Sequence, residues 1–274
     1  MKIAILLSTY NGELFIKDQI ESILLQTNKD WCLYIRDDGS NDNTINIIDF
    51  YVTKYPSQII KIIDDCGNLR SAASFMQMLS VINSDYYMFC DQDDVWLPFK
   101  IDTTLDKMKE NELAKPNTGV LVFTDLTIVD SNLNVINDSM WDYSKINPEN
   151  AKNFYRTTCL SSVTGCTIML NNYIKEKVLP YPRSARMHDW WITLNTSHYG
   201  VVDYVNIPTI LYRQHNDNVL GAEKLNKNHY LKKFILIRST LRDNMKVYKM
   251  LQALRFKVNY LNVLLTKIKI VLIE

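Results

Sequence analysis

Along the first 130 residues, short apolar runs alternate with longer stretches of helical spacing. Ile3–Leu7, Cys32–Ile35, Ile59–Ile63, Tyr86–Cys90 and Val120–Thr124 are largely apolar runs that predict buried strands. Between them, Leu14–Leu25, Ile45–Tyr55 and Ser71–Ile82 place apolar residues on one helical face, as Phe15, Ile16, Ile20, Ile23 and Leu24 do. Pro98 suits the first turn of a fourth helix reaching about Glu110. Strands separated by helices of this length predict βαβ units, hence an α/β fold with a mostly parallel sheet and helices on both faces.

The pattern is less regular further on. Val163–Leu170 predicts a strand near Gly165, and Asp189–Tyr199 a helix with Asp189 at or near its N-cap. Val201–Val205 and Thr209–Arg213 predict two short strands. From Asn228 the spacing predicts a basic amphipathic helix or helix pair, a C-terminal helical extension. The expected organisation is a body over residues 1–222, with halves 1–124 and 125–222, and a tail over 223–274.

Charge separates these parts more sharply than the net +1 suggests. From Lys224 to Glu274 there are twelve Lys or Arg against two acids, about +10, which leaves the body near −9. An acidic body lacks the basic groove of a nucleic-acid binder. The tail, with Lys232, Lys233, Arg238, Arg242, Lys246, Lys249, Arg255 and Lys257 among apolar residues, suits the surface of an anionic membrane. Packing on the body, or in a homodimer, is the alternative. The five cysteines form no C-x-x-C pair and read as buried thiols of a reducing compartment. The first residues lack the pattern of a signal peptide, and no apolar stretch nears the roughly 18 residues of a spanning helix. The expected location is the cytoplasm, with peripheral contact on the inner face of the plasma membrane.

In open α/β sheets, ligands bind beyond the carboxyl ends of the strands. The first strand is followed by Ser8-Thr9-Tyr10-Asn11-Gly12, the second by Arg36-Asp37-Asp38-Gly39-Ser40 and the fourth by Asp91-Gln92-Asp93-Asp94. None has the glycine spacing of a dinucleotide fold or a P-loop. Three carboxylates within four residues repel one another, and a hard divalent cation, Mn²⁺ or Mg²⁺, relieves that repulsion. Read alone, the same segment is also a solvated acidic turn with Asp94 capping the next helix. Asp37 and Asp38 suit a base imide or ribose hydroxyl, or an ordinary turn. His188-Asp189-Trp190-Trp191 sets an acid beside rings able to stack on sugar, or caps and packs a helix. Arg213 suits a diphosphate or a surface pair, and His215 a metal or a structural role.

The order of these segments resembles the family 2 glycosyltransferases with the GT-A fold, over about residues 1–222. Cys90–Trp96 together with Tyr212–Gly221 resembles a bacterial branch often described as rhamnosyltransferases, which build capsule, O-antigen or cell-wall polysaccharide. The resemblance implies a nucleotide-binding half over residues 1–124 and an acceptor-binding half over 125–222. Thr9, Tyr10, Asn11 and Asn68 would line the nucleotide pocket, and Asp37 would bond a pyrimidine base with Asp38 beside it. The Asp91–Asp94 segment, Gln92 included, would hold the sugar diphosphate. Asp91 would be shared between ribose and metal, Asp93 and His215 would hold the metal, and Arg213 would neutralise the diphosphate. Asp189 would be the general base, with Gly165, His188, Trp190 and Trp191 around the sugar and acceptor. Arg70 departs from the pattern, because relatives have glycine there.

The implied reaction moves a sugar from dTDP-rhamnose or a UDP-hexose, with inversion, to a glycan or lipid-linked acceptor. Two other classes compete. A strand followed by Asp-x-Asp also opens a metal-dependent phosphohydrolase or phosphotransferase, though normally at the first strand. A catalytically silent nucleotide-sugar-binding module would not need both Asp93 and Asp189.

Overall fold

The structure is a computed structural model that describes residues 2–215 and 237–273. The Tyr212–Gly221 motif beyond His215, and Lys232 and Lys233 of the tail, lie outside the described residues, as do the side chains of Arg238 and Arg242. The strands are β1 (Ile3–Thr9), β2 (Trp31–Asp37), β3 (Ile59–Ile62), β4 (Tyr86–Cys90), β5 (Val95–Trp96), β6 (Gly119–Val129), β7 (Val135–Asn137), β8 (Met169–Asn171) and β9 (Gly200–Arg213). The helices are α1 (Ile16–Leu24), α2 (Thr44–Lys54), α3 (Arg70–Val81), α4 (Lys100–Ala114), α5 (Met140–Tyr143), α6 (Phe154–Cys159), α7 (Asn172–Val178), α8 (His188–Tyr199), α9 (Ile237–Gln252) and α10 (Tyr260–Ile273).

The strands form one nine-stranded sheet, ordered β3-β2-β1-β4-β8-β6-β9-β5, with β7 beside β6. Pairs β3/β2, β2/β1, β1/β4 and β6/β9 are parallel. Because β8 runs against both β4 and β6, those two point the same way, so the carboxyl ends of β1, β2, β4, β6 and β9 share one edge. The fold is mixed α/β, with a mostly parallel sheet covered on both faces. Both halves of the body contribute to this sheet, and β6 crosses the 124/125 boundary.

Alternation along β1 sorts the core. Ile3, Ile5 and Leu7 meet Ile16, Ile20 and Ile23 of α1, Ile48 of α2 and Leu105 of α4 on one face. Ala4 and Leu6 meet Phe75 and Leu79 of α3, Ile174 of α7 and Ile192 of α8 on the other. Each such Ile or Leu withdrawn from water contributes roughly 1.5–3 kcal/mol of transfer free energy. Met250 and Leu251 at the end of α9 join the second face, so the tail rests on the body.

Several expectations are corrected. Val163–Leu170 is not a strand: Gly165–Thr167 is a 3₁₀ turn and the strand runs from Met169 to Asn171. The two strands expected near residue 205 are one, β9, whose pairing with β6 shifts register beside Pro208. Pro98 precedes α4, which starts at Lys100. Only Cys90 and Cys166 are buried; Cys66 is exposed, and all five thiols are free. No described helix is long and apolar enough to cross a membrane.

Candidate active site

The strand ends gathered at the shared edge are tied to one another before any ligand is considered. Asp37 accepts hydrogen bonds from Thr9 Oγ1 at 2.8 Å, from the Gly39 and Ser40 N–H groups at 3.1 and 2.8 Å, and from Ser40 Oγ at 2.6 Å. Asn11, at φ 47°, accepts from the Asn41 N–H through Oδ1 and donates its own N–H to Ser40 Oγ. The ring of Tyr10 stays half exposed at the rim, 49% accessible. Its backbone is pinned by Gln92, whose Oε1 accepts the Tyr10 N–H at 2.8 Å and whose Nε2 donates to the Tyr10 carbonyl at 3.0 Å. Gln92 thus joins two strand ends rather than facing a ligand. Gly12 is required here, since a Cβ would run into the Gln92 amide.

Asp38 does not join this rim. It is buried and bonded to Arg36 Nη1 at 2.5 Å, while its oxygens accept the Leu69 and Arg70 N–H groups at 2.7 Å each. Arg36 also grips Asp64 through two nitrogens, at 2.9 and 3.1 Å. The expected nucleotide role of Asp38 is therefore corrected to a cap and counter-ion at the start of α3. Asn68 is exposed beside it, donating to the Asp38 carbonyl at 2.8 Å. Arg70 has φ 64°, the left-handed region that glycine occupies freely. Glycine would take this backbone shape without strain, whereas the arginine side chain strains it. Arg70→Gly should raise the unfolding free energy by about 0.5–1 kcal/mol in a denaturant titration. A loss of stability would mean that the Arg70 side chain makes a contact outweighing that strain.

The acidic turn lies between β4 and β5, and β5 is held by antiparallel pairing of Val95 and Trp96 with Leu211 and Ile210 of β9. That pairing brings Arg213 and His215 against it. His215 Nε2 lies 2.8 Å from Asp93 Oδ2, with the His215 ring 4.8 Å from that of Phe15. Arg213 is buried and donates to the Asp93 carbonyl at 2.9 Å, to the Ser131 carbonyl at 2.7 Å and to Asp18 at 3.0 Å. These bonds correct its expected role: the guanidinium braces the turn from behind instead of meeting a diphosphate. Asp94 is no helix cap. It is fully buried, accepting the Arg213 N–H at 3.2 Å through Oδ1, while its Oδ2 has no hydrogen-bond partner.

Asp91 is half-buried, and burial together with the charges of Asp93 and Asp189 pushes its carboxyl up to about 7. Burial, then the charges of Asp93 and Asp91, holds the Asp94 carboxyl well above the usual carboxylate range. Oxygens of Asp91 and Asp94 and the Cys166 sulfur lie within 4.8 Å of one another. Beneath them Lys100 is fully buried, its Nζ 4.8 Å above the Trp96 ring and without a hydrogen-bond partner, and burial lowers it to about 8. The resemblance placed Val163-Thr164-Gly165-Cys166 by the sugar and acceptor, without a role for the Cys166 thiol, and Lys100 did not stand out because it sits in an ordinary first helical turn.

Asp189 sits in the first turn of α8, two residues after its N-cap, Met187. It is buried, accepts the Trp190 N–H at 2.6 Å, and burial pushes its carboxyl up to about 6 against the lowering effect of bonds from the Trp190 and Gly165 backbones. Its effect on Asp91 puts the two carboxyls within electrostatic reach. His188, Trp190 and Trp191 belong to the interior, not to a sugar pocket. His188 packs between Phe75 and Phe89, ring centroids 4.7 and 5.1 Å away, and burial lowers it to about 3, so it is neutral. Trp190 Nε1 donates to the Thr157 carbonyl at 2.6 Å, and Trp191 Nε1 to that of Val178 at 2.8 Å. The bare face of Gly165 makes room for His188, whose Nε2 would lie 2.7 Å from a Cβ there.

Carboxylates thus gather at the carboxyl end of β4, tied through Gln92 to the strand-end rim of residues 9–11 and 37. Residues 4–176 match the profile described as Glycosyl transferase family 2. The chain belongs to glycosyltransferase family 2. It is 30% identical over 252 residues to a protein named dTDP-rhamnosyl transferase RfbG of Shigella flexneri, covering 85% of this chain and 79% of that one. It is 35% identical over 130 residues to the putative glycosyltransferase EpsE of Bacillus subtilis (strain 168), covering 46% of each. Among solved structures, this glycosyltransferase superposes with TM-score 0.64 and 12% identity on S. aureus TarS 1–349 in complex with UDP-GlcNAc, over 98% of this chain and 72% of that one. A mannosyltransferase from Pyrobaculum calidifontis, in complex with GDP-Man and Mn²⁺, superposes with TM-score 0.55 and 12% identity over 99% and 81%. At these identities the superpositions establish the GT-A fold.

Proposed function

We propose that this glycosyltransferase is a metal-dependent, inverting enzyme that moves a sugar from a nucleoside-diphosphate donor to a hydroxyl of a growing, lipid-linked bacterial surface polysaccharide. The observation that carries this reading is the Asp93–His215 pair two residues beyond Asp91, whose carboxyl gathers with Cys166 next to the Gly165 that adjoins Asp189. At 2.8 Å an imidazole nitrogen and a carboxylate oxygen meet at one point, a donor set that suits a divalent cation. Asp91, Asp93 and His215 would hold the ion. Carboxylates with an imidazole suit Mn²⁺ better than Mg²⁺, which favours oxygen alone. The Asp91–Asp94–Cys166 group fits less well, because burial keeps that thiol protonated.

When bound, the divalent cation supplies positive charge opposite the departing diphosphate. The chain supplies the rest. Tyr10 offers its exposed ring to the base, and Asp37 takes the imide N–H of a pyrimidine in place of the Ser40 hydroxyl. Thr9 and Asn11 keep that rim in shape. Asp189, ionised, takes the proton of the acceptor hydroxyl as its oxygen bonds to the anomeric carbon from the side opposite the diphosphate. The bond from that carbon to the diphosphate breaks, and the electron pair leaves with the nucleotide. One displacement inverts the centre without an enzyme nucleophile.

The relative named as a dTDP-rhamnosyl transferase supports dTDP-rhamnose as the first donor to test, with UDP-hexoses next. A thermal-unfolding screen with Mn²⁺ decides among them. The donor should raise the melting temperature more than its free nucleotide does. Protection by none of them would overturn the reading.

A further inference from the structure

The second tail helix has two apolar faces, and among the described residues only one is covered. On the inner side, Val263 packs against the core, Cys159 Sγ donates to its carbonyl at 3.9 Å, and α10 lies along α6. On the outer side, Leu261, Leu264, Leu265, Ile268 and Leu272 follow one another at spacings of three, one, three and four residues. Helical geometry puts these five on a single stripe about 100° wide. They are 44–77% exposed, and no described residue covers them. A helix resting on a domain and facing water should be polar on its outer face.

The surroundings of the stripe specify its occupant. Tyr260 at the start of α10 and Tyr248 on α9 are both exposed, with ring centroids 5.2 Å apart, which extends the apolar surface onto α9. Lys246, Lys249, Lys257 and Lys269 are exposed around it. Between Ile237 and Ile273 there are eight Lys or Arg and one acid, Asp243, which lies 3.6 Å from Arg186. A second protein copy would bring eight more cations to the same face. An apolar stripe edged by cations and paired tyrosines is complementary to an anionic bilayer, where leucines enter the acyl boundary and lysines remain among the headgroups.

We propose that the outer face of α10, with the adjoining edge of α9, docks on an anionic lipid surface. The docked helix leans on α6, and α6 leans on α8, whose first turn carries Asp189. Docking would therefore act on Asp189 only through these two helix contacts. The docking stands apart from the proposed reaction; only its purpose, bringing a lipid-linked hydroxyl to Asp189, rests on that reading.

The test floats the intact chain through a density gradient with vesicles of phosphatidylcholine, alone or mixed with phosphatidylglycerol. The chain should rise with the mixed vesicles, stay down with phosphatidylcholine alone, and be released by high salt. Leu264→Asn with Ile268→Asn should cut the bound fraction on the order of tenfold, with the melting temperature unchanged because both side chains face outward. Lys257→Glu with Lys269→Glu should weaken binding most at low salt. Turnover on a soluble acceptor should be the same in all these variants, so failure of docking and failure of the reaction are read separately. Three results would overturn the proposal: no flotation of the unaltered chain, flotation untouched by the Asn pair, or a dimer in sedimentation equilibrium that the Asn pair abolishes.

Discussion

Asp189→Asn should leave donor binding intact and lower the transfer rate by about 10²–10⁴-fold, the usual contribution of a positioned general base. Asn keeps a side-chain oxygen for the Trp190 N–H, now at 2.6 Å, so the first turn of α8 survives the change. Calorimetry with the donor and Mn²⁺ reads binding, and single-turnover kinetics read transfer. The pH dependence gives a second check. Burial pushes Asp189 up to about 6, and the acting form is the carboxylate. The transfer rate should therefore fall tenfold per unit below about pH 6 and level off above it, and that limb should vanish in the Asn variant. Equal loss of binding and transfer would mean that Asp189 serves structure alone.

Asp93→Ala should abolish metal-stimulated nucleotide binding. The loss should exceed the roughly 10–100-fold that removing a group behind a metal ligand costs. The fold has reason to tolerate the change, because Arg213 braces the turn through the Asp93 backbone carbonyl, which alanine keeps. Titration with Mn²⁺ before and after substitution reads the effect directly. An unchanged isotherm would remove Asp93 from the metal site and leave its pairing with His215 as a structural contact.

Much of the fold was legible because period and punctuation are local. The runs beginning at Ile3, Cys32, Ile59 and Tyr86 became β1 to β4, with ends shifted by one or two residues, and the polar strand ends gathered at one edge as the parallel order requires. The sequence also held Asp93 and His215 as candidate partners, although 122 residues separate them.

What escaped was set by contacts distant in the chain. Asp94 looked like a cap because its burial depends on β5 pairing with β9. Asp38 looked equivalent to Asp37, but Arg36 and Asp64 turn it inward while Asp37 stays with Thr9 and Ser40. Arg213 looked free for a phosphate until the turn was seen in front of it. Trp190 and Trp191 adjoin Asp189, yet a helix sends neighbours in different directions, and both rings entered the core. The outward stripe of α10 was hidden for the same reason: spacing shows that a face is apolar, not which face the body covers.

The most direct test of the proposed reaction is release of nucleoside diphosphate from dTDP-rhamnose or a UDP-hexose in the presence of a glycan acceptor, with Mn²⁺ and then with a chelator. Release should require the acceptor, disappear with the chelator and be restored by Mn²⁺. Phosphate release without a sugar donor, or donor binding with no turnover on any acceptor, would contradict it.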